Sequence, residues 1–179
     1  MNKILRIAPL ITILFFITSC KKDSEPDEEE TESGTASCVL NGETFTSSGN
    51  SATLTIETDG TDISKSLSVY LFGSESSINI TLLCITEDDN VDHNIPLKPY
   101  TEPSEPNSGG SAIIGDSSSL WDTSTHDDAT ANITLTALNA SEKTVSGTFS
   151  FSAADFSTGE INCHATDGIF TDISYTVIE

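Results

Sequence analysis

Basic residues are what this chain has least of. Seven Lys and Arg stand against 28 Asp and Glu, a formal net charge of −21 over 179 residues. A surface of that sign repels nucleic acid and anionic lipid, so no nucleic-acid partner is expected. After residue 20 no window keeps an apolar period near 3.6, which argues against a helical bundle and against a phosphate loop that opens a helix. Four cysteines occur without a Cys-x-x-Cys, so neither a zinc ribbon nor a thioredoxin-like site is indicated. His93, His126 and His164 are scattered, none in an HExxH, and no GxSxG elbow is present. Carboxylate pairs are so common in an acidic chain that their pairing carries no information. No cofactor is called for, and the domain is expected to be non-catalytic.

What is present begins at the N-terminus, MNKILRIAPLITILFFITSC. Lys3 and Arg6 make a positive start and residues 7–17 are mostly apolar. That run is short of the ~20 residues a bilayer span needs, and Pro9 and Thr12 interrupt it. It reads as a secretory signal over residues 1–19 with small residues before Cys20. Ile17-Thr18-Ser19-Cys20 resembles a bacterial lipobox, which implies cleavage before Cys20 and lipid on it, so that the membrane becomes a partner through Cys20. Acyl chains contribute about 0.8 kcal/mol per buried CH₂, and several together give stable anchoring. Once the signal leaves, five basic residues face 28 acidic ones, a net charge of −23.

Residues 20–35 read as an acidic, disordered tether, because KKDSEPDEEETESG has no large apolar residue and its like charges repel. Lys21, Lys22 and Asp23 resemble the surface-export signal of Bacteroidota lipoproteins, which implies an outer-membrane, surface-exposed location. Export permits disulfides. Cys38, Cys84 and Cys163 allow at most one pair, and the sequence leaves open whether any forms.

Residues 36–179 read as a single all-β domain, an antiparallel β-sandwich or alternatively a calycin-like β-barrel. Asn41-Gly42 suits a type I′ hairpin that sets Leu40 opposite Glu43 and Cys38 opposite Phe45. Strands are expected at residues 52–57, 67–72 and 77–86, the last two antiparallel, with Leu67, Val69 and Leu71 facing Ile78, Ile80, Leu82 and Cys84. Residues 87–110 and 117–130 read as long polar loops, with a short strand at 111–114 between them. Further strands are expected at 132–138, with Ile133, Leu135 and Ala137 inward, and at 144–152, with Val145, Gly147, Phe149 and Phe151 inward. The last two are expected at 160–165 and 169–177, separated by a Thr166-Asp167-Gly168 turn.

The segments Val145-Ser146-Gly147-Thr148-Phe149-Ser150-Phe151 and Thr166-Asp167-Gly168-Ile169-Phe170 through Tyr175 resemble the end of an uncharacterised family of Bacteroidota lipoproteins. Leu40-Asn41-Gly42-Glu43-Thr44-Phe45 resembles its opening. The resemblance implies an anchored all-β domain and supplies no catalytic residue.

Two groups of site candidates remain. Asp88, Asn90, Asp92 and Asn94 alternate, and alternate oxygens in a curved loop can converge on Ca²⁺. His93 stands where a calcium loop needs glycine and Pro99 where it needs glutamate, so a solvated acidic turn is the preferred reading. Tyr100 and Trp121 sit in the long loops, where aromatics stack on sugars or plug the end of a β-core. The overall expectation is a lipid-anchored surface protein with a binding or structural role. The alternatives are a carbohydrate- or peptide-binding accessory of an uptake system, and a hydrolase whose site only the fold assembles.

Overall fold

In the computed structural model, residues 34–73, 78–101, 109–116 and 118–179 are described. The signal, Cys20 and the acidic tether through residue 33 lie outside the described residues, as does 102–108 of the proline-rich stretch; Thr35, expected in the tether, is already strand, because it pairs with Thr171. The described residues form ten strands and no helix: β1 Thr35–Leu40, β2 Glu43–Asp59, β3 Asp62–Gly73, β4 Asn79–Asp88, β5 Pro99–Thr101, β6 Gly109–Gly115, β7 Leu120–Asp122, β8 Thr130–Asn139, β9 Thr144–Asp155 and β10 Ile161–Ile178. The all-β expectation holds.

All ten belong to one sheet, and its ladder closes on itself. β2 pairs β3, β3 pairs β4, β4 pairs β6 and β6 pairs β7. β7 pairs β9, β9 pairs β10, and β10 returns to β2. This circuit suits a barrel, or a sandwich whose layers share strands at their corners. Every pair is antiparallel except one: Tyr175 to Ile178 run parallel to Ala52 to Thr55. β1 explains that exception. It is antiparallel to both β2 and β10, wedged between their first halves, so the two strands beside it must run parallel where they meet beyond its end. β8 pairs the free side of β9 and carries β5.

Local chemistry accounts for the register. Asn41 and Gly42 have φ of 51° and 86°, the paired positive angles of a type I′ turn, and Leu40 lies opposite Glu43 and Cys38 opposite Phe45 as expected. Leu67, Val69 and Leu71 on β3 and Ile80, Leu82 and Cys84 on β4 are fully buried, while the alternate Ser and Thr face out. The inward faces make one core. Phe149 packs against Phe151 and Phe170 with ring centroids 6.3 and 6.4 Å apart. Gly147 is buried beneath them: a Cβ there would overlap the Phe170 ring and the Thr134 carbonyl.

Four local expectations change. The polar residues 47–50 stay extended, so β2 is one 17-residue strand with a bulge between Ser47 and Gly49. The two strands expected over 160–165 and 169–177 are likewise one strand, Ile161–Ile178. Thr166-Asp167-Gly168 forms a bulge rather than a turn, with Asp167 at φ 54° and a second bulge near Asp172 at φ 51°. A tolerance for positive φ serves a bulge as well as a turn, and pairing with β9 on both sides of Gly168 decides for the bulge. A bulge between Leu135 and Ala137 turns Ala137 outward and brings Leu138 against the core. The two long polar stretches each hold a three-residue strand, β5 and β7.

Truncating Phe149 to Ala should lower stability by about 3–5 kcal/mol through lost burial and a cavity. Ser150→Ala, on the outer face, should change it by less than about 0.5 kcal/mol. Urea melts of both variants beside wild type read the difference. Equal effects would contradict the inward assignment of Phe149.

Candidate functional site

The most unusual group in the domain is a lysine. Lys65 on β3 shares its face with Leu67, Val69 and Leu71 and is 0% exposed. An ammonium in such a place must be paired. Its Nζ donates to Asp88 Oδ2 at 2.9 Å, to Asp92 Oδ1 at 2.6 Å and to the Asn94 main-chain carbonyl at 2.7 Å. Three donors meet three acceptors, so the group is satisfied.

The partners come from the end of β4 and the loop after it. Oxygens of Asp88, Asp92 and Asn94 do converge, but on the Lys65 ammonium. Asn90 stays out of the cluster and donates its main-chain N–H to Asp88 Oδ1 at 3.2 Å. The Asn94 side chain donates to Asp92 Oδ2 at 3.0 Å, so only its main-chain oxygen faces Lys65. Among the described residues no group of three or more His, Cys, Asp and Glu is placed to hold a metal ion.

The electrostatics agree with the geometry. Burial pulls the Lys65 ammonium toward deprotonation, but hydrogen bonds and charge from Asp92 and Asp88 outweigh it, and its pKa ends above the ordinary value. The hydrogen bond from Lys65, then that from Asn94, holds the Asp92 carboxyl down at about 2. Lys65 also holds Asp88 below its usual range.

The loop beyond Asp92 covers this end of the core. Ile95 is buried, and the Tyr175 hydroxyl donates to the His93 carbonyl at 3.4 Å. His93 Nε2 lies 2.6 Å from Glu179 Oε1. Tyr100, considered above as a sugar platform, is 1% exposed and donates its hydroxyl to the Pro96 carbonyl at 2.8 Å. Its ring is a plug, with the Lys98 ammonium 5.2 Å from the ring centroid, and it offers no face to a ligand. Trp121 lies on β7, half-buried against the core, and its indole N–H donates to Asn162 Oδ1 at 2.8 Å.

The histidines take separate partners. His126 Nδ1 accepts from the Asp128 main chain at 3.2 Å, whereas His164 Nδ1 lies 3.0 Å from Ser152 Oγ. The second contact was not visible in the sequence, because it needs the β9–β10 register that sets Ser152 opposite His164. A groove of about 360 Å³ runs there, lined by Thr130, Ser150, Ser152, His164 and Thr166. A hydroxyl beside an imidazole is the first half of a nucleophile–base pair. Here the hydroxyl stands mid-strand, between Thr130 on β8 and His164 on β10, where neighbouring main-chain N–H groups serve the ladder. The arrangement is suited to exchanging hydrogen bonds with a polar ligand.

Cys38, Cys84 and Cys163 are free and buried. Burial pushes the thiols of Cys38 and Cys163 up to about 11 and that of Cys84 higher still, which leaves them as inert packing groups.

Comparison with family models, with curated proteins and with solved structures finds no match to this chain.

The ion pairs made by the buried ammonium set an acid dependence. Asp88 and Asp92 have depressed pKa values in the folded state, so their stabilisation is complete above the ordinary carboxylate value and is lost as the pH falls toward about 2. Lys65→Met should flatten this loss, seen as a shallower fall of the urea midpoint between pH about 4 and about 2. At neutral pH, Asp88→Asn with Asp92→Asn should destabilise more than Lys65→Met. The first strands a buried ammonium, whereas the second leaves carboxylates that can turn to water. The reverse order would contradict the burial of the charge.

Proposed function

We propose that this chain is a lipid-anchored surface protein of the outer membrane, with a non-catalytic β-domain in a binding or structural role. The observation that carries the reading is the run from Lys3 to Cys20, a charged start, a short apolar stretch and small residues before a cysteine. The resemblance of the strand pairs at both ends of the domain to Bacteroidota lipoproteins supports it. So does the character of the domain, whose interior is filled by side chains and whose buried ammonium is satisfied from within.

A second reading within the binding class rests on the groove at Ser152. Hydroxyls of Thr130, Ser150, Ser152 and Thr166 with the imidazole of His164 make a surface that both donates and accepts, which fits a polyhydroxyl ligand such as a carbohydrate. It makes the protein an accessory that holds glycan for an uptake system.

Cys20→Ala should abolish labelling with a radioactive fatty acid and move the protein out of the membrane fraction. A variant that stays wholly with the membranes would contradict the anchored reading.

A further inference from the structure

The sheet carries an outward apolar row at the end where the chain enters the domain. Across neighbouring strands the row runs Gly49, Phe72, Asn79, Gly115, Leu120. Phe156 continues it, because its N–H donates to the Leu120 carbonyl at 2.9 Å. Phe72 is 44% exposed, Leu120 43% and Phe156 65%, and Ile113 in the next outward row is 38% exposed. Exposed apolar residues occur at the other end as well, at Val91, Leu97 and Ile178, but here Phe72 and Leu120 lie in one cross-strand row spaced only by Asn79 and Gly115, with Phe156 and Ile113 beside it, and this marks a contact surface. Gly34 enters the domain two strands from Phe72. Its carbonyl accepts from the Asn50 side chain at 2.5 Å, and Asn50 and Gly49 pair with Leu71 and Phe72. Gly34 is 14 residues beyond Cys20, a spacer that reaches at most ~50 Å when fully extended.

We infer that the end of the domain formed by Phe72, Ile113, Leu120 and Phe156 rests on the uncharged surface of the membrane that holds the anchor. The inference depends on the anchored reading given above. A short tether makes the contact intramolecular, with an effective concentration in the millimolar range, so a few partly exposed apolar side chains suffice. The neighbouring charges choose the kind of lipid. Asp116, Asp122 and Asp155 flank the row, each carboxylate accepting from a nearby Ser main-chain N–H, and no Lys belongs to it. An anionic surface would be repelled, and a zwitterionic one admits the row.

Trp121, the single tryptophan of the chain, lies one position from Leu120 and reports on this end directly. The full chain, isolated with its lipid from host membranes, is reconstituted into phosphatidylcholine vesicles with brominated acyl chains. Wild type should float with the vesicles and lose Trp121 emission to the bromine. The variant Phe72→Ser, Leu120→Ser, Phe156→Ser should float equally and keep its emission, with Phe156→Ser alone intermediate. All three side chains are exposed, so an unchanged urea midpoint checks that the fold is kept. Flotation without quenching in wild type would overturn the inference and leave the anchor standing, the apolar end then facing away toward a protein. Equal quenching in wild type and the triple variant would also overturn it. Failure of wild type to float would remove the anchor, and the inference with it.

Discussion

A single positive charge, buried at the end of β3, constrains the shape of this domain. The described β-domain contains three lysines, and one of them, Lys65, lies inside. A solvent-free ammonium is costly, and the cost is offset only if acceptors surround it in good geometry. The acceptors come from 23 to 29 residues further along the chain, so the loop after β4 must fold back over β3. Once it does, Ile95 and Tyr100 follow it into the core, and the end of the ring is covered. The acidity that keeps the exterior soluble here also supplies an interior need.

The remainder of the architecture depends on β10. Its 18 residues pair with β9 along most of their length, with β1 over the first half and with β2 at the end. Two bulges, each with an aspartate at positive φ, let one strand bend enough to do this. Gly168 is needed at the first, where a Cβ would overlap the Phe149 carbonyl and ring. A straight strand could satisfy either set of partners but not bring the sheet round to close.

Much of this was legible in the residues, because short-range chemistry decides it. Period-two alternation placed Leu67 to Leu71 and Val145 to Phe151 inward, and Asn41-Gly42 set the first hairpin to the residue. Extending the alternation back from Leu67 puts Lys65 on the buried face, and the alternating oxygens from Asp88 to Asn94 could suit a cation, though a solvated acidic turn is the reading they favour. What local pattern does not carry is that the cation belongs to the chain itself. Positive φ at Asp167 was legible too, but whether it makes a turn or a bulge depends on a partner strand, β9, that local pattern does not name. The Ser152–His164 contact and the outward apolar row have the same origin, since both exist only through register between strands.

The two ends of β3 differ in what meets them, although both carry exposed apolar residues, Val91, Leu97 and Ile178 at one and Phe72, Leu120 and Phe156 at the other. At Lys65 the domain is covered and its polar groups are satisfied internally. At Phe72, about 23 Å along the strand, it offers apolar surface beside the point where the chain enters. On the proposed anchored reading, the end at which the chain enters the domain is the one nearest the anchor. The most direct test of that account is the intact mass of the protein extracted from host membranes. The account predicts a chain beginning at Cys20 and heavier than its sequence by the mass of the acyl groups. A chain still beginning at Met1, or one beginning elsewhere without added lipid, would contradict it.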